Sequence, residues 1–202
     1  TVLLMYASQE QFTQSALTLN SVAELRRAKE TAEFFDGLQV DEQRQWSDEL
    51  LRRLRLPDAA VPTPYVCLLD TGVNRAHPLL GPILDGGDLH TVNPAWGAND
   101  NDGHGTGQAG LAIYGDLTDA LASALPVEIG HRLESVKLIN QHGGNAGGAH
   151  HHAYLFKEAV SRPEIKAPDR LRVFSSAVTA TDYRDRGRPS SWSAAVDSLA
   201  SD

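Results

Sequence analysis

Tyr65-Val66-Cys67-Leu68-Leu69-Asp70-Thr71-Gly72-Val73 decides the fold. Tyr65–Leu69 is a continuous apolar run of strand length, the pattern of a strand buried on both faces of a parallel sheet. It ends in an acid, Asp70, and Thr71-Gly72 then lets the chain turn away. Open parallel sheets build their sites at the carboxyl ends of their strands, so the carboxylate of Asp70 is expected beside a cleft. Thirty-odd residues on comes Asp102-Gly103-His104-Gly105-Thr106-Gly107, a histidine set among glycines at the start of a small-residue stretch. Residues 104–115 are expected to form a tightly packed helix, with Gly105, Gly107, Ala109 and Gly110 allowing it to lie close against the sheet. Glycine costs helix stability, so a run of them implies a steric demand. At a helix N-terminus the positive end of the dipole disfavours imidazolium, and a neutral imidazole is what a general base requires.

Outward from these motifs, the pattern alternates between strands and helices. Ser135–Ile139 and Leu171–Val178 read as strands, His152–Val160 as a helix, and Ser193 opens another helix with Ala194, Ala195, Val196 and Leu199. Such alternation gives a parallel sheet covered by helices. Leu56–Pro64 carries Pro57, Pro62 and Pro64 and no periodic pattern, so residues 57–64 read as a linker. Ahead of it, residues 1–56 read as an N-terminal strand plus a helical hairpin. Val2–Tyr6 is the strand, and one helix runs from Ser21, with Glu24 at capping-box spacing, to Asp36-Gly37. The second starts at Asp41 and aligns Trp46, Leu50 and Leu54 on one face.

Composition limits the function classes. The chain has 202 residues, 41% of them hydrophobic, enough for a real core. A net charge of −8 argues against nucleic acid or an anionic membrane as the main partner. No stretch approaches the ~20 apolar residues of a membrane span. The single cysteine, Cys67, lies inside the first apolar run and reads as a small buried hydrophobe. The lack of a possible internal disulfide suits the cytosol, but the compartment stays open. Other polar clusters have plainer explanations than chemistry. His142 and His150-His151-His152 read as a solvated loop, because adjacent residues do not point one way and no acid lies at metal spacing. Asn99-Asp100-Asn101-Asp102 offers hard oxygens for calcium, but it lacks a later glutamate at EF-hand spacing and reads as a turn. Arg184–Arg188, with acids mixed in, reads as a solvated loop.

Together the two motifs resemble those of the subtilisin-like serine proteases, the subtilase or S8 peptidase family. Residues 68–73 resemble the family's Asp motif, with its customary His-Pro at His77-Pro78. His104–Gly110 resembles the family's His-Gly-Thr-His-Val-Ala-Gly, departing at Gly107 and Gln108. Val136–Ile139 resembles the strand before the substrate cleft, and Val173–Val178 the strand that runs beside a bound peptide. There Ser175-Ser176-Ala177-Val178 stands where Ser-Leu-Gly is usual. The resemblance covers roughly residues 65–200. It implies an α/β, three-layer subtilisin-like domain over residues 65–202, incomplete at its carboxyl end. It also implies a serine endopeptidase acting on protein or peptide substrates through an Asp-His-Ser triad, the Asp-then-His-then-Ser chain order of that family. Asp70 and His104 would be its catalytic carboxylate and base, with no cofactor required and calcium the one metal in question.

The family's nucleophile motif, Gly-Thr-Ser-x-Ala-x-Pro, is absent from these 202 residues. Ser190, Ser191 and Ser193 read as a loop and helix cap. The expectation is that the serine and the oxyanion asparagine lie beyond Asp202 and that this piece alone is inactive. The alternative is a non-catalytic peptide-binding or partner-docking module on the same scaffold. A nucleotide-binding α/β domain would want Gly-x-Gly-x-x-Gly after the first strand. Asp70-Thr71-Gly72-Val73-Asn74-Arg75 does not supply it. The oligomeric state has no signature in the sequence.

Overall fold

The computed structural model describes residues 32–58, 61–140, 152–178 and 187–201. The expected strand at residues 2–6, the start of the helix at Ser21, and the loops holding His142, His150, His151 and most of Arg184–Arg188 lie outside the described residues. The chain divides into two compact units, residues 1–38 and 39–202. In the first, helix α1 (Ala32–Asp36) is the described end of the helix expected from Ser21. It stops before Gly37, as the sequence indicates.

The second unit begins with α2 (Val40–Arg53), where the Gln39 amide donates to the Glu42 carboxylate at 2.9 Å, half of a capping box. The chain continues through β1 (Leu54–Arg55), β2 (Tyr65–Asp70), β3 (Leu84–Thr91), a 3₁₀ turn (Pro94–Trp96), α3 (His104–Tyr114) and α4 (Leu117–Ala122). It then runs through β4 (Val127–Glu128), β5 (Arg132–Lys137), α5 (His152–Lys166), β6 (Arg172–Ser175) and α6 (Ser191–Ser201). Among the described residues no helix is long and apolar enough to cross a membrane.

Four strands form one parallel sheet in the order β3-β5-β2-β6. β2 is therefore interior, which is why its sequence is apolar without alternation. Cys67 and Leu69 face one core with Val136, Phe156, Ala159 and Val160, while Leu68 faces the other with Val73, Ile83, Ala109, Ile113 and Leu133. α3 contributes to one face and α5 to the other, so the unit has three layers, helix, sheet and helix. Burying each large aliphatic side chain in these layers contributes about 1.5–3 kcal/mol before entropy is counted.

Several boundaries differ from the sequence pattern for identifiable reasons. β3 had no sequence signal: Asp85, Gly86, Gly87 and Asp88 interrupt it, and its pairing with β5 slips between Leu84 and Leu89. It is an edge strand, where such an irregularity is tolerated. The strand expected at Ser135–Ile139 is centred earlier, at Arg132–Lys137, because it carries polar residues inward; Glu134 and Lys137 are both buried. α5 continues past Val160 through the buried Pro163, and β6 is the four-residue core of the Leu171–Val178 run.

The largest difference concerns the N-terminal segment. Packing breaks between Leu38 and Gln39, ahead of the proline-rich residues 57–64. α2 is part of the main unit: Leu50 is fully buried, and Leu54 leaves the helix to pair with Val127. Arg53 donates to the carbonyls of Ala120 (3.0 Å) and Leu125 (2.7 Å) at the end of α4, while Glu49 holds its guanidinium at 2.8 Å. A cation is favoured at a helix carboxyl end, where carbonyls lack partners. Long-range contacts of this kind leave no local pattern.

Candidate active site

Asp70 is the last residue of β2, locked there because its carbonyl accepts from the amides of Leu138 (2.7 Å) and Ile139 (3.2 Å). Its side chain is 2% exposed. Oδ1 accepts from the Thr71 amide at 2.7 Å and meets Nδ1 of His104 at 2.8 Å. A carboxylate can only accept, so Nδ1 carries the proton of this bond. The other oxygen, Oδ2, is buried and makes no hydrogen bond among the described residues. A buried unsatisfied acceptor costs about 1–3 kcal/mol, which leaves the imidazole and one amide as the described compensation for the carboxylate.

His104 is the first residue of α3, and its side chain is 47% exposed. The ring thus bridges a buried acid and solvent, with Nε2 left for an incoming proton. The hydrogen bond to Asp70, followed by the charge of Asp70 itself, raises the His104 pKa above its ordinary value; partial desolvation opposes this, and Asp102 and Asp100 add to it. The helix dipole, which disfavours imidazolium at this position, acts in the opposite direction. The carboxylate prevails because it is a full charge at hydrogen-bond distance, whereas the helix end offers about half a charge.

The close approach of α3 to β2 depends on two glycines. Gly72 has φ +97°, a left-handed conformation that side chains disfavour, and a Cβ there would lie 2.5 Å from the carbonyl of Ala98. A Cβ on Gly105 would lie 2.0 Å from the carbonyl of Gly72. The turn after Asp70 and the first turn of α3 are therefore in direct backbone contact. The same role expected for Gly107 and Gly110 does not hold: a Cβ at either would meet nothing within 4 Å. Both border an apolar hollow behind α3, shared with Leu79, Leu111 and Tyr114.

Sequence reasoning missed what holds the first turn of α3. Its N-cap position is Gly103, at φ +100°, which has no side chain to offer. The amides of that turn, which have no partner within the helix, are satisfied from a distance instead. Gly105 donates to the Thr71 hydroxyl at 2.9 Å, and Thr106 to Oδ2 of Asp100 at 2.8 Å. Asp100 does shape the turn that its sequence context predicts, accepting from the amides of Asp102 and Gly103, both at 2.9 Å. The one sequence signal for its wider reach was an acid just upstream of a helix start. Among the described residues no group of three or more His, Cys, Asp or Glu side chains is arranged to hold a metal ion. Ser190 caps α6, accepting from the Ser193 amide at 3.1 Å, in keeping with its sequence context.

The fold and this pair define a class: a parallel α/β protein that presents a carboxylate-bound imidazole at the carboxyl edge of its sheet. A protein-family comparison specifies it. The family model described as the subtilase family, Peptidase S8, matches residues 62–202, more than half of the chain, and the chain belongs to that family. Among curated proteins and among solved structures, no significant match to the chain is found. Family membership makes this a hydrolase of the protease type, with proteins or peptides as substrates.

Proposed function

We propose that the protein containing this chain is a serine endopeptidase in which Asp70 and His104 are two members of an Asp-His-Ser triad. The third, with the oxyanion donor, lies outside these 202 residues. The observation that carries the reading is the 2.8 Å bond between a buried strand-end carboxylate and a half-exposed imidazole. It occurs in a chain whose family uses that pair in that order.

In this mechanism Asp70 holds the His104 ring with Nδ1 protonated, so that Nε2 is a free base. Nε2 takes the proton of the serine hydroxyl as its oxygen attacks the peptide carbonyl. The resulting imidazolium is stabilised by Asp70, which stays ionised, and it returns its proton to the leaving amine. A water then repeats the sequence on the acyl-enzyme. The elevated pKa of His104 suits the second half of each cycle, in which the ring must hold a proton before giving it up.

The test is labelling of the full-length protein with a fluorophosphonate probe. Wild type should react and His104→Ala should not; undiminished labelling of the variant would exclude His104 as the base. The 202-residue chain alone should remain unlabelled. Adduct formation at Ser190, Ser191 or Ser193 would overturn the assignment of the nucleophile to another segment.

A further inference from the structure

The carboxylate of Asp100 joins the turn that carries Asp70 to the helix that carries His104. Oδ1 accepts from the Thr71 hydroxyl and from the amides of Asp102 and Gly103, each at 2.9 Å. Oδ2 accepts from the amide of Thr106 at 2.8 Å and from its hydroxyl at 2.6 Å. Thr71 immediately follows Asp70, and its hydroxyl acts as a relay. It gives its proton to Asp100, which leaves its lone pair to receive the Gly105 amide at 2.9 Å. The Thr106 hydroxyl does the same on the other side, donating to Asp100 and accepting from the Asn74 amide at 3.0 Å. The loop that bears Asp100 is itself fixed to the sheet. Nζ of Lys137, a residue 1% exposed, donates to the carbonyl of Asn99 at 2.7 Å, and Lys137 is the β5 residue paired with Asp70.

We propose that Asp100 is a positioning residue for the Asp70–His104 pair, fixing the distance between the strand-end turn and the first turn of α3. The proposal rests on the reading of that pair as catalytic, but the geometry it concerns is measurable without turnover. A carboxylate is required. Both oxygens accept, and each takes more than one donor. An asparagine of the same shape has one acceptor oxygen, and its NH₂ group would face a donor of Thr106 or Thr71. Asp102 is the internal control: it places a carboxylate near His104, yet the described hydrogen bonds that tie the motifs run through Asp100.

The experiment is proton NMR of the 202-residue chain, following the downfield Nδ1 proton of His104 and the titration of its ring. Asp100→Asn should lose or broaden the Nδ1 signal while far-UV circular dichroism stays native, and should lower the His104 midpoint further than Asp102→Asn does. In the full-length protein the same variant should slow fluorophosphonate labelling about tenfold or more, the scale on which misplaced catalytic groups act. An Asp100→Asn spectrum indistinguishable from that of Asp102→Asn would overturn the proposal. Should Asp100→Asn fail to fold, Thr106→Val and Thr106→Ser decide instead. The valine should lose the Nδ1 signal and the serine, which keeps the hydroxyl, should retain it; equal spectra would refute the role. If Asp70→Asn itself left the Nδ1 signal unchanged, the catalytic pair would be at fault rather than the role of Asp100.

Discussion

Replacing Gly105 by alanine adds one methyl group where the structure has least room. The new Cβ would sit 2.0 Å from the Gly72 carbonyl, and real Cβ atoms essentially never approach within 3.0 Å of such an atom. The obstacle is backbone rather than a flexible side chain, so α3 and the turn must separate by about 1 Å or more, close-packed interiors having no slack to absorb it. If that displacement is passed to the pair, a 2.8 Å contact becomes one near 3.8 Å and ceases to be a hydrogen bond. Overpacking costs about 1–3 kcal/mol, and loss of the bond from the Gly105 amide to Thr71 costs about 1 kcal/mol more. The better helix propensity of alanine returns about 1 kcal/mol. The net loss of about 1–3 kcal/mol lowers the thermal midpoint by roughly 2–12 °C for a domain of this size. Gly107→Ala is the control, since its Cβ meets nothing within 4 Å and should stabilise by about 0.5–1 kcal/mol. Thermal unfolding followed by circular dichroism, with the Nδ1 proton of His104 as the local probe, reads both effects. A Gly105→Ala chain that melts at or above the wild-type temperature with that proton intact would refute the steric argument.

Other consequences follow from the charges. Because Asp70 raises the His104 pKa, the bond between them contributes most to stability below the unfolded-state value and is lost as pH rises through the higher folded-state one. The stability difference between wild type and His104→Ala, from urea unfolding, should therefore be larger at pH 5.5 than at pH 9; a reversed difference contradicts the assignment. Glu134 sits wholly buried between Arg170 (2.7 Å) and Arg172 (2.8 Å), and Arg170 also reaches Asp88 at 2.6 Å. Glu134→Leu should cost about 1.5–3 kcal/mol in urea unfolding by removing the bonds from Arg170 and from Arg172, whose side chain is 3% exposed and keeps Glu164 as its remaining carboxylate partner; a cost under about 1 kcal/mol would show that the cluster is solvated. Burial pushes the Glu134 carboxyl up, yet bonds from Arg172 and Arg170 hold it below its ordinary value. Its contribution is accordingly present above the unfolded carboxyl pKa and should vanish as pH falls through the lower folded one, seen as acid unfolding that Glu134→Gln no longer tracks. Arg53→Ala should loosen α2 from the end of α4, removing four described bonds and costing about 2 kcal/mol, measured by native-state hydrogen exchange of the α2 amides.

The apolar run before Asp70 and the small-residue stretch from His104 were enough to indicate a parallel α/β sheet with a helix against it, while the pairing of Asp70 with His104 came from the resemblance of the two motifs to the subtilase family. Those signals are local: a strand buried on both faces must be apolar throughout, and a small-residue segment after a histidine marks a helix start. Edge strand β3 and the polar strand β5 were not legible in the same way. Their stability comes from neighbours rather than from their own periodicity, Glu134 being tolerated only because Arg170, in the connection after α5, and Arg172, at the start of β6, reach it. The place of α2 in the main unit depends likewise on carbonyls some seventy residues away.

At the site, sequence alone named the two side chains, since their chemical types and order are properties of the chain. Their separation, the direction in which the His104 pKa moves, the glycine contacts that matter, and the reach of Asp100 were decided by tertiary structure. Each of those depends on how closely two backbones approach, and that distance is set by every contact around them at once rather than by any short stretch of residues.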